Sequence, residues 1–294
     1  MNNTFKSEIS VIWRPLAATV FWGLSFIATK HLLSFVSPLV VIFLRQAIAV
    51  CVLSFLIARN KGSFTITKKG FTGILILALI AILHLFIQVT GMKYTTALNT
   101  GWIVGFSPVF MAILGIIFFK EKISLVQIVG VLISFTGLLV LISKGNLASI
   151  DFISNKGDFL ELASAFTWAI YSFVNKKISF STPPVLIVLY LFLFMSVLTA
   201  PFVVNADNFY RIAHLSLVSW IAVLFLGVFC SGLAYVFWSQ ALSKMSSSKV
   251  GVFLYIEPFV TLLGSWVLLN EQVSPFTVFG GIGIFAGVVL VNRK

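Results

Sequence analysis

Apolar residues run along this chain in long unbroken blocks, separated by short polar joints. The blocks do not alternate in and out with a period of two, so they are not barrel strands. A helix rising 1.5 Å per residue needs about 20 residues to cross about 30 Å of hydrocarbon. Ten blocks approach that length: 14–33, 38–58, 71–90, 96–119, 124–143, 158–177, 184–204, 217–240, 247–269 and 274–292. The joints are short except near 144–157 and 205–216. The pattern predicts an all-α polytopic membrane protein with ten transmembrane helices. The first block lacks a convincing cleavage site and is read as a retained span.

Composition agrees with this reading. Hydrophobic residues make up 60% of the 294 and charged residues 10%, against about 25% charge in an ordinary soluble domain. The lipid bilayer is therefore an expected partner. The formal charge of +12 would point to nucleic acid if it formed a patch. It does not form one. With the N-terminus placed in the cytoplasm, fourteen of the twenty Lys and Arg fall at inner block ends, five at outer ends, and Arg45 inside a block. That bias predicts both termini in the cytoplasm, and the charge implies no nucleic-acid partner. Cys51 and Cys230 have no metal-ligand spacing and are expected to be small buried apolar residues.

The chain also repeats itself. FFKEKISLVQIVGVLISFTGLLVLI (118–142) aligns with LLNEQVSPFTVFGGIGIFAGVVLVN (268–292) at an offset of 150. Glu121 then falls on Glu271, Ser124 on Ser274, Gly130 on Gly280 and Gly137 on Gly287. In the same frame Pro108 falls on Pro258 and Ser107 on Glu257. At an offset of 146, Trp22 falls on Trp168, Lys30 on Lys176 and Pro38 on Pro184. The repeats are 14–143 and 158–292, each with five blocks. An odd number makes the second repeat enter from the opposite face, so the repeats are inverted. Many secondary transporters are built this way, with the solute site near the midplane between the halves. Membrane enzymes and scaffolds can also arise by duplication, and that alternative stays open here.

The Trp22–Phe26 stretch (W-G-x-S-F), Pro108 followed thirteen residues later by Glu121, and Glu257-Pro258 followed by Glu271 resemble the EamA-type carriers of the drug/metabolite transporter superfamily. The resemblance covers almost the whole chain. It implies two five-helix repeats in a bacterial cytoplasmic (inner) membrane and a solute as cargo. It does not single out a cargo: relatives export amino acids, nucleosides, drugs and other metabolites, some import sugars, and related branches exchange phosphorylated sugars.

Several residues are candidates for handling that cargo. Glu257 is a carboxylate in an apolar block, which is costly unless used or paired. It would bind a substrate ammonium or a proton, or serve as a packing contact. Pro258 should kink the helix and leave the Leu254 carbonyl without a partner. Arg45, about 10 Å below the outer surface, would bind a carboxylate or phosphate, snorkel outward, or pair with Glu257. His84 and Gln88 lie one turn apart and share a face, with His84 a candidate proton relay. Trp22, Trp168, Tyr171, Tyr235 and Tyr255 supply aromatic walls suited to amphipathic solutes. Trp102 and Trp238 extend that set, but both lie near block ends, where tryptophan also favours the membrane interface. Pro108 and Pro258 are candidate gating kinks. Glu121 and Glu271 lie about 20 Å of helix beyond those prolines and are expected to organise turns beside the caps Ser124 and Ser274. The glycines of 124–143 and 274–292 are candidates for close packing, and a homodimer through these helices is possible.

No nucleophile–base pair, phosphate loop or metal set appears in the sequence. The expected protein is not an enzyme and uses no cofactor. The leading expectation is a secondary transporter exporting amino acids or related small metabolites by alternating access. The alternatives are an importer or exchanger of a sugar, nucleoside or nucleotide-like solute, and a membrane scaffold.

Overall fold

The computed structural model describes residues 11–120, 123–143, 156–179, 182–269 and 275–292. Among them every regular element is helical. The helices are α1 Trp13–Leu32, α2 Pro38–Arg59, α3 Lys68–Gly91, α4 Ala97–Val104, α5 Ser107–Phe119, α6 Leu125–Ser143 and α7 Lys156–Ser179. The second part of the chain supplies α8 Pro184–Val203, α9 Ala206–Ala213, α10 Leu217–Phe225, α11 Ala234–Lys244, α12 Ser247–Gly251, α13 Glu257–Leu269 and α14 Pro275–Asn292. A π-helical segment, Leu226–Leu233, joins α10 to α11, and a 3₁₀ segment, Val252–Ile256, joins α12 to α13.

A helix or broken helix occupies every apolar block read from the sequence. Among the described residues six are long and apolar enough to cross a membrane: Pro38–Arg59, Lys68–Gly91, Ala97–Phe118, Pro184–Val203, Leu217–Lys244 and Ser247–Leu268. Leu125–Val140 and Val278–Val291 are shorter apolar helices. The protein is an integral multi-pass membrane protein. The two remaining long helices, α1 and α7, are more polar, and the cause is their buried faces. Thr19, Ser25 and Thr29 line that of α1, and Asp158, Glu161, Ser164, Ser172 and Asn175 that of α7. Large apolar side chains such as Phe55, Phe202 and Phe285 stay exposed on the outer surface, as they must where the solvent is lipid.

Local signals set the helix starts. Pro38 and Pro184 sit in the first turns of α2 and α8, where a missing N–H costs nothing. Thr67, Thr96, Ser216 and Ser246 accept from the third residue onward and cap α3, α4, α10 and α12. Ser124 and Gln127 satisfy each other's backbone N–H in a capping box at α6. Glu121, Glu271 and Ser274, expected at such turns, lie outside the described residues.

The packing centres on α1 and α7. Helix α3 packs on α7, and α11 packs on α1; α5 packs on α7, and α13 on α1. Helix α2 packs on α8, and α6 on α14. The α6–α14 seam is close enough to be backbone on backbone. A Cβ on Gly137 would lie 2.7 Å from the Gly280 carbonyl oxygen, and one on Gly130 2.9 Å from that of Gly287. The glycine faces are thus spent within one chain. A homodimer through these helices would have to use their opposite, apolar sides.

The long joint at 205–216 gains detail, and the expectation for the cysteines needs correction. The connection 205–216 contains α9, an exposed amphipathic turn of helix capped by Asn205 and carrying an Asp207–Arg211 pair at 2.9 Å. Of the cysteines, Cys230 is buried but Cys51 is exposed on α2, since only part of each span faces the interior.

Candidate functional site

The broken helices build the site. The α4 ladder ends at Val104, and Gly105 and Phe106 bond back three residues to Trp102 and Ile103. Helix α5 then restarts with Pro108 at its second position. The same happens at α13. The 3₁₀ segment tightens so that the Glu257 N–H reaches the Leu254 carbonyl. That carbonyl is paired, contrary to the expectation of an orphan, because 3₁₀ bonding reaches three residues instead of four. Glu257 and Pro258 therefore open a new helix. Proline is tolerated there, and the helix N-terminus favours a carboxylate.

Gly23 lets α1 approach this start. A Cβ at Gly23 would stand 2.8 Å from Val260 Cβ and 2.9 Å from the Glu257 carbonyl oxygen. Thr261 fastens the contact, its hydroxyl lying 2.9 Å from both the Gly23 and the Glu257 carbonyls. The neighbouring Trp22 side chain turns the other way, into the centre.

The π segment positions the third wall. The Ala234 N–H bonds the Phe229 carbonyl five residues back. It passes over the Cys230 carbonyl, which accepts the Trp22 indole N–H at 2.9 Å. Gly227 brings this segment against α2, where a Cβ would overlap Ile48 at 2.5 Å. That approach places Arg45 so that its Nε donates to Ser231 Oγ at 2.7 Å. π segments recur at functional sites, and this one ties α1 and α2 together.

These walls enclose a cavity of about 30 Å³, room for a water or two. Trp22, Arg45, His84, Gln88, Trp168, Tyr235 and Glu257 line it, together with Ser25, Phe26, Leu85, Val104 and Leu254. Seven of the nine cavity candidates therefore meet at one place. Trp22 and Trp168, which align in the repeat, touch edge to face at 4.9 Å. Tyr235 packs against both, at 5.4 and 5.7 Å. Glu257 is 2% exposed. Arg45 and Glu257 share the cavity but form no ion pair with each other. His84 Nδ1 lies 3.0 Å from the Ser164 carbonyl and 3.3 Å from Thr167 Oγ1. A carbonyl can only accept, so Nδ1 carries a hydrogen and Nε2 is the site whose protonation can vary.

Two candidates stand outside the lining. Tyr171 lies one turn beyond Trp168 and stacks behind it at 4.9 Å and 18°. Tyr255 is buried in the 3₁₀ segment with no partner for its hydroxyl. Two residues before Glu257 at three residues per turn, it points to another side. Two tryptophans also move inward. Trp102 is buried, and Trp238 is fully buried, 5.2 Å from Trp22 and bonded through Nε1 to Ser172 Oγ. Helix α11 runs to Lys244, four residues beyond the expected end, which sinks Trp238 by about 6 Å. Ser25 and Ser231 were not singled out from the sequence. Ser25 carried a usable signal, since it lies one turn from Trp22. Ser231 carried none, because the π segment sets its direction.

The family model for the EamA-like transporter family matches residues 9–143 and 155–293. The chain belongs to the EamA-like transporter family. A relative from Archaeoglobus fulgidus, named an "Uncharacterized transporter", is 31% identical over 95% of this chain and 96% of its own. A Salmonella typhimurium relative named "Probable amino-acid metabolite efflux pump" is 26% identical over 94% of this chain and 92% of its own. A solved crystal structure shares the fold at a TM-score of 0.73 with 17% identity, covering 96% of this chain and 97% of that one. In this EamA-like chain the broken helices bring Arg45 and Glu257 to one cavity.

Proposed function

We infer that this EamA-like protein is a secondary transporter that exports amino acids or related small metabolites across the cytoplasmic (inner) membrane. It works by alternating access between two inverted five-helix halves with both termini inside. It is not an enzyme. The observation that carries the reading is the pairing of Glu257 and Arg45 on one aromatic-walled cavity without a bond between them. A free carboxylate and a guanidinium facing one space complement the ammonium and carboxylate of a zwitterion. Trp22, Trp168 and Tyr235 would cover its side chain. The matched helix pairings of α1 and α7 support the two-halves scheme. The name of the Salmonella relative supports the cargo class.

At about 30 Å³ the cavity is too small for an amino acid as it stands. The halves must separate to admit cargo.

The test is counterflow in liposomes loaded in turn with pools of unlabelled amino acids, nucleosides and sugars. Labelled amino acids should accumulate against the matching pool only. Accumulation against the nucleoside or sugar pool would move the protein to another cargo class. No accumulation with any pool, from folded protein, would overturn transport of these solutes.

A further inference from the structure

A second buried acidic group lies outside the cavity. Asp158 and Glu161 stand one turn apart on α7, both fully buried. Thr95 donates its hydroxyl to Asp158 Oδ1 at 2.5 Å, and the Asn99 amide reaches the same oxygen at 3.4 Å. The Ser164 hydroxyl lies 3.4 Å from Glu161 Oε2, and Thr100, whose hydroxyl donates to the Thr96 carbonyl, is a buried neighbour from α4. Glu161 Oε1 is buried with no partner at all. It is aimed at Gly91 of α3, where a Cβ would stand only 2.7 Å away. Among the described residues no base forms an ion pair with Glu161.

A carboxylate withdrawn from water without a countercharge takes up a cation or a proton. Among the described residues no third His, Cys, Asp or Glu completes a metal-type cluster. A proton needs neither a ligand cage nor space. The surrounding charged and titratable groups are few. Asp158 shares the helix, and His84 faces from α3. Lys30 comes from α1, with its ammonium held by the Met92 and Thr95 carbonyls at 2.5 and 2.7 Å. Lys156 lies over the Tyr94 ring at 3.8 Å. Arg45 and Glu257 lie beyond His84, on the cavity.

The cluster is also joined to that cavity. Ser164, which touches Glu161, offers its carbonyl to His84 in the cavity wall. Glu161 sits two turns before Trp168, about 10 Å along α7. In the topology proposed above, that is the outer side.

We propose that Glu161, with Asp158, Thr95 and Thr100, forms a proton-binding site on the outer side of the cavity, linked to the cavity wall through Ser164 and His84. Its coupling role rests on the transporter reading; its proton occupancy does not.

Infrared difference spectra of the purified protein in nanodiscs, between acidic and alkaline buffer, test occupancy without any cargo. The expected result is a component of the carboxylic-acid C=O signal that titrates, is lost in Glu161→Gln, shifts in Asp158→Asn and survives in Glu257→Gln. A band unchanged in Glu161→Gln overturns the proposal. So does a band that sodium chloride removes at constant pH while choline chloride does not, because the site would then hold sodium. In liposomes, Glu161→Gln should keep counterflow of pooled labelled amino acids and lose its acceleration by a pH gradient. Wild-type protein with no counterflow would fail the transporter reading and leave the infrared result to decide this one.

Discussion

Replacing Gly23 by alanine adds one methyl group at the tightest point between α1 and the start of α13. Carbon atoms pack best at about 3.5–4.0 Å. The new Cβ would begin 2.8 Å from Val260 Cβ and 2.9 Å from the Glu257 carbonyl oxygen, short by about 0.7 Å on the carbon contact. Rotating the Val260 side chain would move Cγ1, at 3.0 Å, but leave its Cβ in place. The helices must therefore separate by roughly this amount. Overpacking of this kind costs about 1–3 kcal/mol, partly through the Thr261 bonds that span the contact. The displacement also carries Glu257 away from Trp22 and Ser25, so the site should suffer more than the fold. The assay is thermal unfolding in detergent beside amino-acid counterflow in liposomes. Gly232→Ala in the π segment is the milder comparison, since its Cβ meets a single atom at 3.3 Å. We expect Gly23→Ala to unfold earlier than Gly232→Ala and to lose most of its counterflow. Wild-type stability and flux in Gly23→Ala would refute the claim that this contact sets the position of Glu257.

Other substitutions separate the parts of the site. Glu257→Gln keeps the shape and removes the charge, so amino-acid counterflow should collapse with unfolding unchanged; unchanged flux would exclude the carboxylate from cargo binding. Trp22→Phe removes the bond to the Cys230 carbonyl, at a cost of about 1–3 kcal/mol for the acceptor left buried, read by thermal unfolding. Trp238→Phe removes the bond to Ser172, with a similar loss expected if the tryptophan is part of the packed centre. A lipid-facing tryptophan would tolerate the change. Gly137→Leu should drive α6 from α14 and abolish folded protein on size exclusion.

Much of the helix layout was legible because the bilayer writes one rule over every span: about twenty apolar residues between polar joints. Within the spans, the repeat marked Trp22 with Trp168 and Pro108 with Pro258. Depth marked Arg45, and spacing marked His84 with Gln88. What escaped was set by local departures from regular helix. Nothing in LGVFCSGL distinguishes π from α bonding, so the Ser231–Arg45 and Cys230–Trp22 contacts could not be foreseen. The 3₁₀ tightening before Glu257 likewise reversed the expectation of an orphan carbonyl and turned Tyr255 aside. Asp158 and Glu161 were not singled out, because composition says nothing about which face of α7 is covered. Gly91 of α3 covers Glu161, and Thr95 and Asn99 cover Asp158.

The unequal polarity of the helices also bears on how the protein is made. An insertion machine judges each segment as it leaves the ribosome, and a charged residue at mid-helix costs about 2.5–3.5 kcal/mol on its scale. Helix α7, with Asp158, Glu161 and Asn175 on its buried face, is the segment least able to enter lipid alone. By then α3 has already been synthesised, and α3 is the helix that offers His84 to Ser164 and Thr167. Helix α1 has the longer wait, since its partners α11 and α13 arrive near the end of synthesis, but its charges stand only at its ends. The order of synthesis thus gives the most polar helix a waiting partner and leaves the less polar one to wait in lipid.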